Sequence, residues 1–194
     1  MLWSTSVTGC LTLENDLEAR APGLENRLSM DETAFRDLYA RTARPIWAYL
    51  ARSCGNAALA DDLLQETYFR MIRAEFEPES DDHARNFLFK VASNLLRDHF
   101  RAAKRTPLPL EIDPTIEGRQ GRAALSTDVQ RILGEMNPRE RELLWLGHVE
   151  RFSHKEIASI LGLKAGSIRL LLFRARKKMA DKLREAGLGP EVMP

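Results

Sequence analysis

Cysteine is scarce in this chain. Cys10 and Cys54 are the only two among 194 residues, too few for a disulfide framework or a Cys-rich zinc site. No run of about 18 apolar residues occurs, so no membrane span is expected. Met1 to Leu13 lacks a basic start and is interrupted by Ser, Thr and Gly, so it does not read as a signal peptide. A glycine-rich phosphate loop is missing, as is a supported Ser/His/Asp arrangement. His83, His99, His148 and His154 stand apart from one another and from both cysteines, without metal-ligand spacing. No catalytic residue, metal or cofactor is therefore expected. Alternation of apolar and polar residues, the mark of strands, is also missing. A soluble, cytoplasmic, all-α protein is what these absences leave.

What is present is an uneven distribution of charge. Lys and Arg number 29 and Asp and Glu 28, for a net charge of only +1. Ala84 to Thr106 nevertheless carries Arg85, Lys90, Arg97, Arg101, Lys104 and Arg105 against Asp98 alone, a net +5. Lys164 to Arg184 holds eight basic residues against Asp181, a net +7. Acids gather elsewhere, at Asp61, Asp62 and Glu66 and again from Glu75 to Asp82. Two basic elements set in an acidic remainder suit a protein that holds a polyanion at two places. Solvated helix faces are the plainer explanation of such runs.

Periodicity divides the chain. Residues 1–30 show no sustained period and read as a poorly ordered, dispensable leader. From Asp31, Phe35, Leu38, Tyr39, Thr42 and Ile46 recur at helical steps. Pro45 is expected to split or kink this helix. Further helices fit Leu59 to Arg73 and Ala84 to Ala103, completing a domain over 31–105. Residues 106–122, with Pro107, Pro109, Pro114, Gly118 and Gly121, read as a linker. A second helical domain follows over 123–186, then a tail, 187–194. Asn137-Pro138-Arg139-Glu140 is a helix start with capping-box chemistry. Trp47, Trp145 and Cys54 are expected in the core. Two small domains on such a tether are expected to move relative to each other.

Ser153 to Ile168 has the form of a helix-turn-helix. Ser153 caps a short helix, Ala158 is small where two helices must approach, and Gly162 allows the chain to reverse. The helix beyond it carries Arg169, Arg174, Arg176, Lys177 and Lys178, as a groove-entering helix needs.

The residues Asp61-Asp62-Leu-Leu-Gln65-Glu66 and Phe87-Leu-Phe-Lys-Val-Ala-Ser-Asn94-Leu-Leu-Arg97 resemble region two of a bacterial sigma factor. Asn137-Pro-Arg-Glu-Arg-Glu-Leu-Leu with the helix-turn-helix resembles region four. With these two regions alone, the chain is similar to the extracytoplasmic-function group. The resemblance implies core RNA polymerase as partner, through its flap and the clamp helices of its largest subunit. Asp61, Asp62, Gln65 and Glu66 would dock on those clamp helices. Phe87, Lys90, Asn94, Arg97 and Arg101 would engage the melted minus-ten element, with the loop Phe76 to Ala84 in the place of the family's base-capturing loop. Lys164, Ser167, Arg169, Arg174, Arg176 and Lys177 would hold the minus-thirty-five duplex. An anti-sigma partner is implied too, and no membrane insertion.

Dipole complementation of a helix start is the structural alternative for Asp61 and Asp62. Core packing is the alternative for Phe87. Leu170-Leu171 stands where the family often has Ser-Arg. Packing is the expectation for both leucines, contact with thymine methyls the alternative. Two rival functions are open to such a chain. A free-standing helix-turn-helix regulator would need no acidic docking helix, and a DNA-processing enzyme would need a nucleophile or a carboxylate metal site.

Overall fold

A computed structural model describes residues 31–74, 76–103 and 127–188. The leader 1–30, the linker 106–122 and most of the tail lie outside these. Every regular element in the described residues is helical: α1 (Glu32–Cys54), α2 (Ala57–Arg73), α3 (Asp81–Ala103), α4 (Thr127–Gly134), α5 (Pro138–Leu144), α6 (His154–Leu161) and α7 (Ala165–Glu185). None of these helices is long and apolar enough to cross a membrane.

The first three helices form one bundle. α1 runs unbroken through Pro45, against the expected division. Proline in a helix interior costs about 3 kcal/mol. Ile46, Trp47, Tyr49 and Leu50 just beyond it are all buried, and each such side chain returns about 1.5–3 kcal/mol. Burial therefore holds the helix through its weak point. α2 starts at Asn56, whose side chain accepts from the Leu59 N–H at 2.9 Å. Its Leu63, Leu64, Thr67, Tyr68 and Met71 face inward. The Tyr68 and Thr42 hydroxyls lie 2.6 Å apart, joining α2 to α1. α3 begins at Asp81, three residues before the expected start. The Ser80 hydroxyl accepts from the His83 N–H at 3.1 Å there, and Asp81 pairs with Arg41 of α1 at 2.9 Å.

The remaining helices pack around α7. Asn137 and Glu140 form the expected capping box on α5. α5 then widens into a single π-helical turn, Trp145–Val149. The turn brings Gly147 against α7, where a Cβ on Gly147 would stand 3.2 Å from Leu172 Cδ2. α6 has its own capping box, from Ser153 and Glu156, and ends at Gly162 with φ 62°. That left-handed backbone favours glycine and turns the chain into α7. Lys164 precedes α7 without a side-chain cap.

The two groups of helices do not stay apart, contrary to the expected freedom of two small domains. One continuous apolar cluster draws buried side chains from both groups, while Met136, Leu144 and Ala175 form a smaller cluster within the second. Phe152, just before α6, meets Phe89 of α3 edge-on at 5.1 Å between ring centres. Phe89 in turn packs on Tyr49 of α1 at 5.4 Å. Arg141 of α5, itself buried, donates to the carbonyl of Ser53 at the end of α1 at 2.9 Å. The contact is thus partly apolar and core-like, where small polar contacts are the rule between such domains.

Candidate nucleic-acid interface

Three faces hold the residues singled out above. On α2, Asp62 and Gln65 are exposed and Glu66 is half-exposed. These three share a stripe, being three and four residues apart. Glu66 accepts from Arg70 Nε at 2.6 Å. Asp61 belongs to the other side of the helix: its Oδ1 accepts from Trp47 Nε1 of α1 at 2.8 Å. That bond gives Asp61 a structural role, but one other than dipole complementation, since α2 starts at Ala57 and carries no acid in its first turn. Phe69 continues the stripe one turn beyond Gln65 and Glu66, 53% exposed, with Arg73 over its ring at 5.5 Å. Sequence reasoning passed over Phe69. Its signal was available, because it lies off the apolar side formed by Leu64, Tyr68 and Met71.

On α3, Phe87, Lys90, Asn94, Arg97 and Arg101 fall on one stripe, at steps of three and four. Lys90 and Arg101 are exposed. Phe87 is half-buried and stacks face to face on Phe76, with centres 3.9 Å apart and planes at 9°. His83 meets the same Phe76 ring edge-on at 5.0 Å. An aromatic group therefore closes the base of the acidic loop, and Phe87 serves as packing there, though it is not fully enclosed. Arg97 is engaged twice. It donates to Asn94 Oδ1 at 3.1 Å and, across the junction, to the Leu161 carbonyl at the C-terminus of α6 at 3.1 Å. Arg139 reaches the same carbonyl at 2.6 Å. Two guanidinium groups thus meet the negative end of the helix dipole.

The rest of the junction is equally polar at its edge. Arg85 binds Glu150, and Asn86 Nδ2 donates to Glu156 Oε1 at 3.0 Å. The bond from Asn86, with those around Ser153, holds the Glu156 carboxyl below its ordinary range. Deeper in, Glu142 is buried and accepts from Arg139 at 3.3 Å. Burial pushes its carboxyl above the usual range, a rise that Arg139 partly offsets.

Lys164, just before α7, and Ser167, Arg169, Arg174, Arg176 and Lys177 on it are all exposed. Ser167, Arg174 and Lys177 share the outer face. Arg176 stands on the flank, where its Nε donates to the Leu172 carbonyl of its own helix at 3.3 Å. It there edges an apolar cleft of about 380 Å³, lined by Leu133, Leu144, Trp145, Met179 and Leu183. The two leucines expected to pack divide. Leu171 packs on the core, whereas Leu170 is 51% exposed and Phe173 59%. The reason is geometric. At 100° per residue, Ile168, Leu172 and Ala175 take the buried side, and Leu170 points away from it.

An acidic and amide stripe on one three-helix unit, a basic stripe beside it and a helix-turn-helix on a second unit define a two-region promoter-recognition protein. Sigma-70 region 2 matches residues 38–106 and sigma-70 region 4 matches residues 126–179. The RNA polymerase sigma factor CarQ of Myxococcus xanthus is 31% identical over 171 residues, covering 81% of this chain and 93% of that one. Among solved structures, CnrH in complex with the cytosolic domain of CnrY is 26% identical, with a TM-score of 0.59 over 83% of this chain and 94% of that one. The sigma factor RpoE in complex with the anti-sigma factor NepR from Bartonella quintana shares the fold at 20% identity, with a TM-score of 0.62 over 77% of this chain and 96% of that one. The chain belongs to the extracytoplasmic-function group of RNA polymerase sigma factors. It is a transcription initiation factor that directs RNA polymerase to promoters, and it is not an enzyme. Both rival functions fall with that, since neither a lone regulator nor a DNA-processing enzyme carries both sigma regions.

Proposed function

We propose a division of labour over the three faces. The α2 stripe of Asp62, Gln65 and Glu66, extended by Phe69, docks on basic residues of core polymerase. Phe69 supplies the apolar anchor that such an interface needs at its centre. Asp61 acts from behind, holding α2 to Trp47. Lys90, Asn94, Arg97 and Arg101 track the opened minus-ten strand, where cationic and amide groups suit unstacked bases. Lys164, Ser167, Arg169, Arg174 and Lys177 hold the minus-thirty-five duplex. The observation that carries this reading is the joint presence of the α2 stripe and the cationic outer face of α7. The work takes place in the cytoplasm, where polymerase and promoter DNA meet.

Arg97 is tied to α6 in this arrangement, so α3 parts from α6 before the strand is engaged. An anti-sigma partner completes the picture. RpoE was captured with an anti-sigma factor and CnrH with the cytosolic domain of CnrY, and the apolar cleft beside α7 gives an amphipathic helix a place to bury its side chains. Run-off transcription with purified core polymerase tests the whole reading. The expected result is a discrete transcript that depends on this chain. Transcription no different from core polymerase alone, across a library of promoters, would overturn it.

A further inference from the structure

α7 presents two large apolar side chains to solvent on the same side as its free cations. Leu170 and Phe173 are 51% and 59% exposed, although Ile168, Leu171 and Leu172 around them pack inward. Such exposure adds little to folding stability, because burial is what stabilises an apolar side chain. Arg169, Arg174 and Lys177 surround the pair, and none of these three has an ion-pair partner among the described residues. A cationic surround favours a polyanion over an apolar protein surface. Leu170 and Phe173 also lie in the first three turns of α7, which starts at Ala165, and the N-terminal part of such a helix meets base edges.

In the major groove the C5-methyl of thymine is the apolar feature that side chains read. Three residues along a helix advance about 4.5 Å, comparable with the 3.4 Å rise of one base pair along a strand. We propose that Leu170 and Phe173 are specificity-determining residues, reading thymine methyls at neighbouring base pairs of the upstream promoter element. Arg174 and Lys177 hold the backbone on either side. This rests on the reading of α7 as the duplex reader, and adds to it which chemical feature is selected.

The experiment uses the full chain bound to core polymerase. Duplexes randomised in the upstream element are selected for binding, and the best one is remade with deoxyuridine for each thymine in turn. Uracil pairs as thymine does and lacks only the methyl. The expected result is thymine at two neighbouring positions, each losing about four-fold in affinity as uracil, the worth of one buried methyl group. Leu170→Ala should abolish that loss at one position and Phe173→Ala at the other, both with unchanged melting temperature. Arg174→Ala should instead weaken all duplexes alike and leave the methyl dependence in place.

Equal affinity for thymine and uracil duplexes would overturn the inference while leaving α7 as the duplex reader. Reduced binding of the Leu170→Ala chain to core polymerase without DNA would also overturn it, by giving this face to the polymerase. Failure of Arg174→Ala to weaken any duplex would overturn the duplex-reader role and the inference together.

Discussion

Arg85 of α3 donates from Nη2 to Glu150 Oε2 at 2.7 Å and to the Glu150 main-chain carbonyl at 2.8 Å. Its guanidinium also lies 4.0 Å from the centre of the Phe152 ring. One side chain thus binds an acid, a carbonyl and an aromatic face, all belonging to the other helical group. Glu150 is steadied in turn by Trp145 Nε1 at 3.1 Å. Arg85→Ala should lower stability by about 2–4 kcal/mol, because it leaves a largely buried carboxylate without its main partner. Small-angle scattering should show a longer maximum dimension for this variant. An unchanged scattering profile together with an unchanged unfolding midpoint would show that the pair does not hold the junction.

Glu156 has two tasks, closing the capping box of α6 and accepting from Asn86 across the junction. Ser153→Ala removes the cap alone and should cost about 1 kcal/mol. Glu156→Ala removes both tasks and should cost more, as read in urea unfolding. Its depressed carboxyl pKa fixes the pH dependence. The stabilisation is present above the ordinary carboxyl range and is lost as pH falls through the lower folded-state value.

Glu142 behaves in the opposite sense. Burial raises its carboxyl pKa, so the folded chain binds this proton more tightly than the unfolded chain does. Its penalty is absent below the ordinary carboxyl range, grows as pH rises through the shifted value, and is complete above it. Glu142→Gln should therefore raise the melting temperature at neutral pH, with the gain shrinking toward pH 4. Arg139 retains the Leu161 carbonyl in that variant. A gain that persisted undiminished in acid would contradict the assignment.

Neighbouring acids on α2 should separate by phenotype. Asp61→Ala breaks the bond to Trp47 and should lower stability by about 1–2 kcal/mol. Asp62→Arg with Glu66→Arg should leave helicity intact and abolish co-elution with core polymerase, since like charges set against each other cost several kcal/mol. Phe69→Ala should weaken co-elution without lowering the melting temperature, because that ring is exposed.

Much of this was legible in the residues themselves. Apolar spacing and the caps at Asn137 and Ser153 specify helices locally, because capping and periodicity act within one or two turns. The motifs from Asp61 to Glu66, from Phe87 to Arg97 and from Asn137 onward, in that order on one chain, carried the resemblance to the family, and Gly162 marked the reversal into α7. Other features depended on contacts between residues far apart in the chain. Pro45 sits inside a continuous helix because burial of Ile46, Tyr49 and Leu50 outweighs its local cost. Asp61 is distinguished from Asp62 only by the position of Trp47, fourteen residues earlier. Leu170 and Leu171 are adjacent and identical in type, and only the packing of α7 on α5 and α6 sends one inward and the other to solvent. The junction of the two helical groups was likewise decided by tertiary structure. It rests on Phe152 meeting Phe89 and on Arg85, Asn86 and Arg97 finding acceptors 64 to 70 residues away, and no local pattern encodes a partner at that distance.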